Sequence, residues 1–387
     1  MKINKPLIRH FLLIASSLFA ASQLQAQISI TGGDLYVFQA GDGVTTAGSG
    51  VAAPAFIDQF NTSVQTGNGF ITQTVLPTTP ASAGGNFLSQ GQGQQDGQIS
   101  YNAIANALVF GGYSGMAVNA SLNSSAVANR DIGTVNASGT FSFAVQNSAE
   151  FGGNNSGGGL IRATVTDGSG NYWASGSASS SGLQGVWYYG SGTPAALIGN
   201  GTASRALGIY GGNLFYTSSS GLSMITGMPT SGAQTPILLN SLSGTPYGFG
   251  INPTTMTTVY VANEAGGIIK LTYSGTFSGG AYSGGTWSTT TLDSGTKFDW
   301  LSVNWSNPSD PVVYATTLAG SSGNSLDSVD GISGTITTLD TITGTSSASG
   351  NYDGVVFVPT PEPSVYMLAD LGLLLVISIR RRRIGKA

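Results

Sequence analysis

One texture recurs along this chain and limits what it can fold into. A short run rich in aromatic and β-branched residues is followed by a Gly/Ser/Asn turn and a second such run. It is present in ISYNAIANALVFGGYSG (99–115), ATVTDGSGNYWASGS (163–177), ALGIYGGNLFYTSSSG (206–221), GFGINPTTMTTVYVANEAG (248–266), LSVNWSNPSDPVVYATT (301–317) and NYDGVVFVP (351–359). Short runs bounded by turn residues imply hairpins of β-strands. Taking Leu108, Tyr172, Leu214, Val259 and Val313 to mark the second strand, the steps are 64, 42, 45 and 54 residues. Periods of about 40–50 residues with about four strands each imply propeller blades.

Single units fit a four-strand blade. Residues 160–198 divide into IRATVT, NYWASG, GVWYYG and AALIG, and 205–240 into RALGIY, NLFYTS, LSMIT and PILLN. DGSGN (167–171) supplies hairpin chemistry, with Asp and Asn bonding the backbone and Gly taking positive φ. Near the N-terminus DLYVFQ, PAFIDQF and FITQTVLP provide three strands, and YDGVVFV near the C-terminus provides a fourth that would close the ring. The expected fold is all-β: a propeller of six blades, or seven, whose first and last strands pair and leave few open edges. Residues 77–98 are expected to form an exposed loop. A β-solenoid or a pair of sandwiches is the competing architecture, and unequal periods with long inserts argue against the solenoid. The organisation also resembles secreted bacterial propeller proteins of the NHL or quinoprotein-like kind. A fold of that type leaves function open.

Composition agrees with a turn-rich β-protein. Gly makes up 58 of 387 residues, and only 8% of residues are charged, against roughly 25% in an average domain. The 13 basic residues concentrate at the ends, so that residues 27–360 hold five bases and fifteen acids, a net of −10. Such a body repels phosphate backbones, which argues against nucleic acid as a partner.

The N-terminus, MKINKPLIRHFLLIASSLFAASQLQAQ, has the parts of a secretory signal peptide. Lys2, Lys5 and Arg9 precede an apolar run from Phe11 to Ala21, too short to span a bilayer, and small residues follow. Cleavage is expected after Ala26, with Ser22 as the other position. Residues 1–26 are therefore assigned as leader, 27–359 as body and 360–387 as a separate terminal segment.

That last segment, TPEPSVYMLADLGLLLVISIRRRRIGKA, holds an apolar stretch from Val365 to Ile379. As a helix it would be about 22 Å long, short for a hydrocarbon core of about 30 Å, and it contains Asp370. Arg380, Arg381, Arg382 and Arg383 mark a cytoplasmic flank. Pro361, Glu362 and Pro363, a short transmembrane helix and the Arg cluster together resemble the PEP-CTERM sorting signal of exosortase substrates in Gram-negative bacteria. The resemblance covers about 28 residues, and Asp370 departs from the usual apolar segment. It implies that Pro361, Glu362 and Pro363 are the recognised motif. It also implies transient partners: the Sec export machinery, the exosortase and the inner membrane. The destination would be the cell surface or extracellular matrix. An ordinary tail anchor is the alternative.

The chain has no cysteine, and its one histidine is His10, within the leader. The body therefore lacks the parts of a Ser-His-Asp triad, a Cys-His pair or a His zinc site. Ser294 and Lys297 form an S-x-x-K match without the K-T-G strand such enzymes need. Asp293 with Asp299, and Asp327 with Asp330, are carboxylate pairs by proximity, and turn capping accounts for them better. No cofactor or metal is implied, since no D-x-D-x-D-G loop is present. Trp173, Trp187, Trp287, Trp300 and Trp305 are expected mainly in the core, although exposed rings could stack on sugars. The expectation is a non-enzymatic surface or matrix protein with exopolysaccharide as candidate ligand. A carboxylate-dependent carbohydrate-active enzyme and a membrane-anchored scaffold for protein partners are the alternatives.

Overall fold

The structure is a computed structural model. It describes residues 28–360 apart from 44–49, 65–68, 79–84, 92–95, 123–128, 148–149, 152–158, 179–180, 200–202, 319–322 and 344–349. The chain is all-β, with one helical element among the described residues, the single 3-10 turn Ser181–Leu183. No helix among them is long and apolar enough to cross a membrane. Residues 1–26, expected as a leader, and residues 361–387, expected to hold a short transmembrane helix, lie outside the described residues.

Every strand pairing is antiparallel. The first sheet sets Asn351–Phe357 beside Asp34–Ala40, then Ala52–Asn61, then Phe70–Val75. The strand from the far end of the body thus completes the sheet begun at the near end, with Leu35 opposite Phe357 and Ala40 opposite Asn351. The second sheet holds Ile99–Asn102, Ala107–Ser114, Asn129–Asn136 and Phe141–Asn147. The short strand Leu88–Gln90 ties these two into one nine-stranded sheet.

Four separate four-stranded sheets follow, each in simple sequence order. The third is Leu160–Thr166, Tyr172–Ser177, Gly185–Tyr189 and Ala195–Ile198; the fourth is Ser204–Tyr210, Asn213–Ser218, Gly221–Ile225 and Ile237–Ser241. The fifth is Pro246–Ile251, Thr258–Asn263, Ile268–Tyr273 and Trp287–Thr291; the sixth is Phe298–Asn304, Val312–Thr317, Gly323–Asp330 and Ile336–Thr343. A small hairpin, Thr276–Ser278 with Ala281–Ser283, is inserted in the fifth. This insertion accounts for the 54-residue step in the sequence period.

The core lies between the sheets. Alternate residues of a strand face opposite sides, and in the second strands both sides are covered. Val259 and Val261 pack with Phe215, Leu222 and Phe249 between the fourth and fifth sheets. Tyr260 and Ala262 of the same strand pack with Phe298, Val313 and Val329 between the fifth and sixth. The remaining apolar clusters sit between first and second, second and third, third and fourth, and sixth and first sheets. Burial on both faces explains why these strands are almost wholly apolar rather than alternating. Each fully buried Phe, Leu or Val contributes roughly 1.5–3 kcal/mol. The outer strands differ, since Phe70, Ile71, Ile237 and Leu238 are exposed.

The described residues from 85 to 91 and 96 to 98 do not form the exposed loop expected of 77–98 from its Gly and Gln content. Phe87, Leu88 and Ser89 are buried. Phe87 lies over Gly112 and Gly133, where added Cβ atoms would come 2.3 and 2.9 Å from its ring. Two glycines on neighbouring strands of the second sheet leave the space that this ring fills.

Candidate functional site

The first strands of all six sheets lie side by side. Those of the second and third run parallel, because Gln98 N–H donates to the Arg162 carbonyl (3.1 Å), Ser100 Oγ to the Thr164 carbonyl (2.8 Å) and Asn102 Nδ2 to the Thr166 carbonyl (2.7 Å). Two glycines allow the closest approaches. A Cβ at Gly354 would lie 2.1 Å from the Gly97 carbonyl oxygen, and one at Gly248 would lie 2.5 Å from the Leu301 nitrogen. Hydroxyl groups of three second strands reach across to the next sheet's first strand. Ser175 Oγ donates to the Arg205 carbonyl (2.5 Å), Thr217 Oγ1 to that of Tyr247 (2.7 Å) and Thr316 Oγ1 to that of Asp353 (2.6 Å).

The C-terminal halves of these first strands line a cavity of about 590 Å³. Its walls include Tyr101, Tyr210, Phe249, Trp300, Trp305 and Pro359, with Ser100, Asn102 and Thr166 as polar points. Trp305 and Tyr101 are half-buried and Ile104 at the rim is exposed. Trp305 leans on Tyr260 with ring centroids 5.5 Å apart. Gln98 also lines the cavity, and its amide bonds both main-chain groups of Leu207: Nε2 donates to the carbonyl (2.7 Å) and Oε1 accepts from N–H (3.0 Å).

Beyond Gln98, towards the strand N-termini, the chemistry changes. Asp96, Arg162, Arg205, Tyr247, Asp299 and Asp353 each lie within three residues of the start of one of the six first strands. None of these six lines the cavity. Arg205 Nη1 donates to the Pro246 carbonyl (3.0 Å), and its guanidinium lies 4.7 Å from the Tyr247 ring centroid. Burial raises the Asp96 carboxyl to about 7, against the lowering influence of Tyr113 and Arg162. Burial, then the charges of Asp96 and Asp299, push Asp353 well above the ordinary carboxylate range. Burial also raises Glu264, against Arg205 and the hydrogen bond with Asp299. Carboxyl groups held this way stay protonated or need a cation.

The carboxylate pairs suggested by sequence are not pairs in space. Asp293 caps a turn, accepting from Gly295 N–H (3.2 Å) and Thr296 N–H (2.8 Å), whereas Asp299 is buried in the polar cluster. Asp330 likewise caps, accepting from Ile332 and Ser333 N–H (2.8 and 2.7 Å). Asp327 is buried on the opposite face of the same strand, three residues away, with Ser325 Oγ at 3.2 Å. Ser294 and Lys297 sit in an irregular bend rather than at a helix start. Trp173, Trp187 and Trp300 are buried; Trp287 and Trp305 are half-buried. Among the described residues, no group of three or more His, Cys, Asp or Glu side chains has the arrangement to hold a metal ion. Pro361, Glu362, Pro363 and Arg380 to Arg383 lie outside the described residues.

Sequence reasoning missed Asp96, Arg162, Arg205 and Asp353 as a group. The available signal was the recurrence of a charged residue at the start of a first strand, visible once those strands are aligned.

No protein-family model matches the chain, and no curated protein matches it. Solved structures are similar at low identity. TolB from Acinetobacter baumannii is 10% identical over 90% of this chain and 71% of that one, with a TM-score of 0.47. A Bacteroides fragilis protein provisionally described as a 6-phosphogluconolactonase is 13% identical over 81% and 83%, at 0.44. A luciferin-regenerating enzyme is 13% identical over 81% and 99%, at 0.40. Likeness at this level carries no argument about activity.

Proposed function

We propose that this is an exported, non-enzymatic glycan-binding protein built as a closed six-bladed β-propeller and delivered by its PEP-CTERM tail. Six sheets with an apolar cluster at each junction, including sixth to first, support the ring. In this reading the first sheet is the closing blade, joining the two ends of the body. The Pro361-Glu362-Pro363 motif, the apolar stretch and the Arg cluster support export and sorting, and with them surface or matrix residence.

The observation that carries the binding reading is the cavity of about 590 Å³, walled by aromatic rings and dotted with hydroxyl and amide groups. Sugar rings have apolar faces and polar edges, so they match a wall of this kind. The net charge of −10 on the body favours a neutral glycan over an acidic one. Glycan-array binding with the purified protein tests the proposal. Trp305→Ala should lose about 1 kcal/mol of stacking, near fivefold in Kd. Absence of binding to any neutral glycan, or unchanged binding by Trp305→Ala, would overturn it.

A carboxylate-dependent carbohydrate-active enzyme is the second reading, favoured by the buried carboxyl groups beyond Gln98. Turnover in a hydrolysis screen, abolished in Asp96→Asn or Asp353→Asn, would replace the binding reading.

A further inference from the structure

The body has twenty charged side chains, and six of them, Asp96, Arg162, Arg205, Glu264, Asp299 and Asp353, gather at the polar end of the first strands. Their charges do not balance. Arg162 is felt by Asp96 and by Glu264, and Arg205 by Glu264, which also shares a hydrogen bond with Asp299. The charges that act on Asp353 are those of two carboxyl groups, Asp96 and Asp299.

Asp353 is also unsatisfied. It is 2% exposed, and neither Oδ1 nor Oδ2 has a hydrogen-bond partner among the described residues. Buried polar groups in folded proteins are almost always paired. Protonation does not remove the problem, since a carboxylic acid still presents a donor and an acceptor. The side chain lies against Gly97, where a Cβ would come 2.7 Å from the Asp353 Cβ and 3.1 Å from Oδ2. Any larger residue there would push the carboxyl aside.

We propose that the polar end of the first strands is a second ligand site, which takes a primary ammonium group against Asp353, Asp96 and Asp299. An ammonium carries three N–H donors and one positive charge, and it supplies both what the Asp353 oxygens lack and what the local charge lacks. Its source is an amino sugar or a simple amine, and the two are separable by experiment.

The test is isothermal titration of the full chain, purified in detergent, with glucosamine, ethanolamine, glucose and calcium chloride at pH 7. Glucosamine or ethanolamine is expected to bind in a way that Asp353→Asn weakens, whereas any glucose bound in the aromatic cavity is insensitive to that substitution. Tighter glucosamine assigns an amino sugar; equal or tighter ethanolamine assigns a simple amine. Asp353→Asn is expected to weaken the amine at least tenfold while the melting temperature holds or rises, because an unpaired carboxyl is removed. Trp305→Ala should leave amine binding unchanged, which separates this site from the aromatic cavity. The proposal falls if neither amine binds, if Asp353→Asn binds the amines as the parent does, or if calcium alone binds.

Discussion

Asp58 offers the sharpest test of how this β-body tolerates buried charge. It sits in Ala52–Asn61, the third strand of the first sheet, 1% exposed, and accepts one hydrogen bond from Gln73 Nε2 (2.7 Å). Burial is the largest influence on its carboxyl; Gln73 opposes it and Asp340 adds to it, leaving the group raised to about 7 from 3.8. The folded state therefore holds the proton more tightly than the unfolded state does. Between about pH 4 and 7 the folded form binds up to one more proton at this site, so stability falls as pH rises through that window. Each pH unit costs at most about 1.4 kcal/mol, and the whole window about 4 kcal/mol. Asp58→Asn keeps an acceptor for Gln73 and cannot ionise. Urea unfolding of parent and variant at half-unit steps from pH 4 to 8.5 measures the difference. The two should be close in stability at pH 4, and the variant should gain steadily above it, reaching a few kcal/mol by pH 8. Asp96 titrates in the same range, so the variant keeps a residual slope. Parallel curves for parent and variant would refute the argument.

Four further outcomes follow from the sheet junctions, one turn and the ends. Thr217→Val leaves the Tyr247 carbonyl and the Ala206 N–H without their partner. It should destabilise by about 2–4 kcal/mol in denaturant melts. Gly354→Ala should cost about 3 kcal/mol or more, because its Cβ meets the Gly97 carbonyl. Gly170→Ala, with nothing within 4 Å but a φ of +90°, should cost only backbone strain of about 1 kcal/mol in the same assay. Intact mass spectrometry of secreted material should show loss of the leader near Ala26 and of the tail near Pro361; a retained tail would favour the anchor.

Much of the fold was legible because each strand carries its own signal. The third and fourth sheets fall where IRATVT, NYWASG, GVWYYG, AALIG and RALGIY, NLFYTS, LSMIT, PILLN placed them. The turn at Asp167 behaves as its residues require: Ser169 N–H bonds Asp167 Oδ1 at 2.7 Å, and Gly168 and Gly170 take φ of +80° and +90°. The pairing of YDGVVFV with DLYVFQ was legible from an unpartnered strand at each end. Segment 77–98 was not, because its one strong apolar pair, Phe87 and Leu88, sits among Gly, Ser and Gln, and its space is created by Gly112 and Gly133 far along the chain.

The site divides along the same line. The absence of Cys and of any His after His10 could be read from the chain alone, and it removes whole classes of chemistry from residues 27–360. Local sequence likewise determined strand, turn and period, because hydrogen-bonding turns and apolar runs act over a few residues. Only the tertiary structure decided that Asp293 and Asp330 cap turns while Asp299 and Asp327 are buried. It alone brought Asp96, Arg162, Arg205, Asp299 and Asp353 together across 257 positions of sequence. Neighbours a few residues apart are separated by the two-residue alternation of a strand. Residues far apart are joined when first strands from different sheets lie side by side, and no local pattern records which sheets those will be.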